Sequence, residues 1–195
     1  MNRIEVSCSQ LVLMRYSAKG FANSFEFLLN AHLKEKDEES TLLIFDCDLK
    51  PVIVSNAFLA IELYLKLIYA TGYYLEKEEK DGKTEFDKTH NLKHLYDCIP
   101  LCCKERLCEK FIENKVDIDK LAEYLDQQKI GFEEWRYSFT ANEDKLVFAS
   151  DLKAIIDVLS DFSIDCINKL DFGEDWAKDI KTTSIGISGY YGGKH

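Results

Sequence analysis

The chain has 195 residues, 46% hydrophobic and 31% charged, with two prolines and nine glycines, which excludes collagen, low-complexity disorder and more than two small domains. Its 25 basic and 35 acidic residues leave a formal charge of −10, which opposes sequence-independent attraction to phosphate backbones, so no DNA binding is expected. The opening residues hold no apolar stretch of signal length and the longest apolar run carries Glu62 and Lys66, so a cytoplasmic location with no membrane span is expected.

Taken in chain order, residues 17–34 place Ala18, Phe21, Ala22, Phe25, Leu28, Leu29 and Leu33 on one face of an amphipathic helix. Ser17 is placed to cap it, which leaves a short irregular segment before it. A charged stretch, Lys34 to Ser40, and an extended connector, TLLIFDCDL, follow. Pro51 can open a helix and Gly72 can close one. The segment between them is apolar on nearly every face, as a helix surrounded by others must be. Its polar exceptions align: Ser55, Glu62 and Lys66 fall at spacings of seven and four, with Asn56 beside them and Tyr69 continuing the stripe. Leu75 to Lys88 reads as a solvated loop.

Thr89 is placed to cap a short helix using Leu92 and Leu95, stopped by Pro100. Helices are predicted over about Leu101 to Asn114 and Asp117 to Gln127, then an aromatic block, Phe132 to Phe139, after Gly131. The last helix holds Leu152, Ile155, Ile156, Leu159, Phe162, Cys166, Ile167 and Leu170 on one face. Residues 171–195 lose the pattern and read as a flexible, frayed tail, so a single helical domain over 1–170 is expected.

Four of the seven cysteines lie at Cys98, Cys102, Cys103 and Cys108, with no CxxC pair and no histidine among them. That spacing suits no tetrahedral site, so no metal and no cofactor is expected. His90 and His94 stand four apart, but no HExxH surrounds them. Glu62 and Lys66 form a helix pair in the favourable order. Arg136, one of four arginines, lies between Trp135 and Tyr137, where a guanidinium can fork onto a phosphate or carboxylate or join two helices through Glu62 or Glu134.

Three blocks in order, SNAFLAIELYLKLIYATG, THNLKHLYDCIP and FEEWRYSF, followed by the long final helix, resemble the HEPN (higher eukaryotes and prokaryotes nucleotide-binding) domain family. The matching positions are Ala57, Phe58, Ile61, Glu62, Leu65, Lys66, His90, Leu92, Leu95, Arg136 and Tyr137. The resemblance implies an all-α, up-and-down helical bundle that pairs as a homodimer, found in toxin–antitoxin pairs, phage defence and nucleotidyltransferase partnerships. Many members resemble metal-independent ribonucleases in which four to six residues separate an arginine from a following histidine. Here no histidine follows Arg136 at that distance. The resemblance then implies a non-catalytic module binding a partner protein, a nucleotide or RNA through Glu62, Lys66, His90, Arg136 and Tyr137. The alternative is a ribonuclease in which Arg136 holds the phosphate and His90, from another helix, replaces the missing histidine.

Overall fold

In a computed structural model, the chain is described over residues 3–36, 42–43, 50–78, 81–127 and 147–170. The protein is mostly helical, with two small two-stranded sheets among the described residues. In chain order come β1 (Arg3–Ser7), α1 (Cys8–Lys36), β2 (Leu42–Leu43), α2 (Lys50–Glu76), β3 (Lys83–Asp87), α3 (Leu92–Asp97), α4 (Leu101–Glu113), α5 (Ile118–Gln127), β4 (Val147–Phe148) and α6 (Ala149–Ile167).

The core is built round α2, which packs against α1, α3, α4, α6 and β3. Ile53, Val54, Ala57, Phe58, Ile61, Tyr64, Leu65, Ile68 and Tyr69 are all buried, which accounts for the all-round apolarity of this helix. By length and composition alone α2 could cross a membrane, but most of its surface is already buried inside the protein. Its aromatic side chains Phe58, Tyr64, Tyr69 and Tyr74 are therefore spent in the core, with Tyr73 partly buried beside it. Tyr64 donates to Ser160 Oγ at 3.2 Å, or accepts from it, and Arg15 Nε donates to Ser163 Oγ at 3.0 Å, tying α2 and α1 to α6. The periodic face predicted for α6 is the buried one, from Leu152 through Cys166.

Four expectations are corrected. The N-terminal segment is not irregular: β1 leads directly into α1, which begins at Cys8, ten residues before the Ala18 start that a Ser17 cap would give, because Ser7 and Gln10 form a reciprocal cap. Ser7 Oγ accepts from the Gln10 amide at 3.2 Å and Gln10 Oε1 accepts from the Ser7 amide at 2.8 Å. Gly72 does not end α2. It lies within the helix, where an added Cβ would sit 2.7 Å from Pro100 Cδ, so the glycine permits close approach of the α3–α4 junction. The stretch from Leu75 to Lys88 is not wholly a solvated loop, since α2 continues to Glu76 and Lys83–Asp87 is a strand. β3 pairs antiparallel with β1, Arg3 opposite Asp87 and Ser7 opposite Lys83. Thr84 and Phe86 turn inward while Lys83 is exposed and Glu85 half-exposed, an alternation too short to stand out among charged neighbours. Gly82, at φ 71°, makes the turn into the strand, and its carbonyl accepts from the Cys8 amide at 2.9 Å. Finally, Asn91 and not Thr89 caps α3: its side chain accepts from the His94 amide at 2.9 Å, while Thr89 Oγ1 accepts from the Asn91 amide. Pro100 opens α4 directly after α3 has ended.

Within the connector TLLIFDCDL, Leu42–Leu43 is extended as expected and pairs with Val147–Phe148. The aromatic block 132–139 and the tail 171–195 lie outside the described residues.

Candidate functional site

Polar side chains recur on α2 at Glu62, Lys66, Tyr69 and Tyr73, steps of four, three and four that keep them on one stripe. β3 lies against this helix, held by the Thr84 hydroxyl, which donates to the Ala70 carbonyl at 2.6 Å. The turn after β3 then carries His90 onto the stripe. Glu62 is buried and receives two cations or donors: Lys66 Nζ at 2.6 Å from Oε1, and His90 Nδ1 at 3.0 and 3.1 Å from its two oxygens. The Lys66 ammonium also faces the Phe86 ring, 5.8 Å from its centroid. His90 keeps 51% of its side chain exposed, against 4% for Glu62. A buried carboxylate thus fixes one ring nitrogen and leaves the imidazole edge facing outward, an arrangement that can exchange a proton or hydrogen-bond a ligand.

A second cluster sits one turn further along α2. Asp87, buried at the end of β3, accepts from His94 Nε2 at 2.9 Å through Oδ2, and Arg3 Nε lies 3.5 Å from Oδ1. Arg3 also pairs with Glu85, donates to the Tyr73 hydroxyl at 2.9 Å and stacks on that ring. Burial pushes the Asp87 carboxyl up, but His94, Tyr69 and Arg3 outweigh it and hold the group below its ordinary value. Cys98, at the C-cap of α3, places its sulfur 3.6 and 3.9 Å from the two nitrogens of His94. Burial and the Asp87 charge push this thiol up, away from the thiolate. A nucleophile–base–acid relay would need Cys98 and Asp87 on opposite nitrogens of the ring, and Asp87 Oδ2 and the closer approach of the sulfur both fall on Nε2.

Of the five residues singled out in the sequence, Glu62, Lys66 and His90 converge, while Arg136 and Tyr137 lie outside the described residues. His90 and His94 do not share a helix face: His90 precedes the cap and turns to Glu62, and His94 turns to Asp87. The four clustered cysteines separate. Cys98 meets His94, Cys102 is exposed near the Gly72 carbonyl, Cys108 meets the Tyr96 hydroxyl, and Cys103 is buried against Cys166. The Cys166 contact draws the Cys103 thiol down against the effect of burial. The chain matches no protein-family model, no curated protein and no solved structure.

Asp87 and Arg3 were not singled out in the sequence. The alternation of Thr84 and Phe86 with Lys83 and Glu85 is the signal that could have found the strand that ends on Asp87. Arg3 becomes relevant only through a pairing with residues 82 positions away.

Proposed function

We propose that the chain is a non-catalytic, HEPN-like up-and-down helical module, acting as a homodimer, whose binding face centres on His90 and the Glu62–Lys66 pair beneath it. The observation that carries this reading is the buried carboxylate holding a half-exposed imidazole, joined to residues at which the sequence resembles the family. A protein partner fits better than RNA or a nucleotide. Lys66 is committed to Glu62 and Arg3 to Glu85 and Asp87, and the formal charge of −10 opposes a phosphate, which leaves exposed Lys88 as the free cation nearest His90 in sequence among the described residues. A toxin–antitoxin or defence setting follows from the resemblance. The test is affinity purification of the tagged protein from its own host, where His90→Ala and Arg136→Ala should each lose a stoichiometric partner that the unaltered chain retains, with helix content unchanged. Retention of that partner by both variants would overturn the reading.

One observation favours the alternative, a metal-independent ribonuclease. Glu62 orients His90 through Nδ1 and, among the described residues, nothing occupies its Nε2, as a general acid or base requires. Incubation with single-stranded RNA in the presence of a chelator separates the two. No cleavage is expected. Cleavage abolished by both His90→Ala and Arg136→Ala, with folding preserved, would establish the enzyme.

A further inference from the structure

The carboxylate, imidazole and thiol brought together where β3 ends and α3 begins have no role in the binding face around His90. We propose that Asp87, His94 and Cys98 form a binding site for one zinc ion. Their donor atoms all lie within 4.8 Å of one another, with Asp87 buried and the other two half-buried.

The distances fit the coordination sphere. Zinc at about 2.0–2.2 Å from oxygen and nitrogen and about 2.3 Å from sulfur sets donors about 3.3 Å apart for the oxygen–nitrogen edge and about 3.6 Å for the nitrogen–sulfur edge. Asp87 Oδ2 and His94 Nε2 are 2.9 Å apart, and Cys98 Sγ is 3.6 Å from the same nitrogen. The first edge opens by a few tenths of an ångström as the hydrogen bond gives way to two metal bonds. The second has the right length and the wrong direction: with the sulfur also 3.9 Å from Nδ1, the thiol must move toward the Nε2 lone pair for the ion to bind.

Charge and supply of donors also agree. Ionised Asp87 and a Cys98 thiolate together neutralise a divalent ion, and the mixture of oxygen, nitrogen and sulfur suits zinc better than magnesium or calcium, which take oxygen. Binding releases the Cys98 thiol proton, and the Nε2 proton that His94 gives to Asp87 in the free protein is lost to solvent while Nδ1 keeps or takes up one, so that the neutral ring coordinates through Nε2. Arg3, on the other oxygen of Asp87, orients the carboxylate from outside the coordination sphere. Three protein donors leave a fourth position for water or a ligand atom.

The metal-stripped protein is titrated with zinc against a chromophoric chelator, and with cobalt as an optical probe. One ion per chain is expected, with a near-ultraviolet thiolate-to-cobalt band. Cys98→Ser, which preserves side-chain size, should abolish that band, and His94→Ala should weaken zinc binding by about 100-fold or more, since even outer partners of a ligand are worth about 10- to 100-fold. Cys102→Ser and Cys108→Ser should change neither readout. Failure to take up one ion per chain, or a charge-transfer band that survives in Cys98→Ser, would overturn the site.

Discussion

Replacing Lys66 with methionine isolates the energetics of the pair under His90. Both members of the pair are buried, with side-chain exposures of 11% for Lys66 and 4% for Glu62 and a separation of 2.6 Å. Removing the ammonium strands a carboxylate inside the protein, a change that costs about 3–5 kcal/mol where a buried ion pair is broken from one side. His90 Nδ1 remains within 3.0 Å and offsets part of that cost, so about 3 kcal/mol is expected for Lys66→Met at neutral pH. In a chain of this size each kcal/mol moves the melting temperature by roughly 2–4 °C, giving a fall of about 10 °C. Urea unfolding followed by circular dichroism would measure it. The double variant Glu62→Leu with Lys66→Met removes both charges and should return to within about 1 kcal/mol of the parent, because a buried pair replaced by apolar side chains loses its desolvation cost as well as its attraction. A loss below about 0.5 kcal/mol for Lys66→Met alone, the size of a solvated helix pair, would refute the reasoning.

Gly72→Ala should destabilise the protein in a thermal melt by up to about 2 kcal/mol: the overlap with Pro100 costs about 1–3 kcal/mol, offset by a gain of about 1 kcal/mol in helix propensity. Asn91→Ala should cost about 1 kcal/mol through loss of the α3 cap, read by urea unfolding, whereas Asn91→Asp should cost little. Sedimentation should give twice the 22.6 kDa chain mass, and a mass near that of one chain at every concentration would count against the homodimer.

The helical character and the core helices α2 and α6 were legible because both carry unbroken apolar repeats whose burial is decided locally, by which residues share a face. The convergence of Glu62 and Lys66 was legible for the same reason, residues four apart on one helix being neighbours in any fold. His90 was named from the resemblance carried by THNLKHLYDCIP, but its partner had to come from a different element. Asp87 was hidden because a strand of five residues, three of them charged, resembles a loop until its register with β1 is known. The start of α1 was misplaced by following the apolar repeat and overlooking SCSQ, in which Ser7 and Gln10 stand at the spacing of a reciprocal cap. Gly72 misled in the opposite sense, since a glycine chosen for close helix approach reads as a stop.

The pairing of β1 with β3 has a kinetic consequence. It joins Arg3 to Asp87 and Ser7 to Lys83, so the unfolded chain must close a long loop before any hydrogen bond of that ladder forms. Docking of α1 on α2 shortens that search by bringing the end of β1 beside the turn into β3, where the Cys8 amide meets the Gly82 carbonyl. The ladder should therefore form after the helices have packed and open before they part, and its amides should exchange with solvent faster than those of α2. Asp87 is the last residue of that ladder and His94 depends on it, so the electrostatic environment at the end of α3 is completed only in the final step of folding.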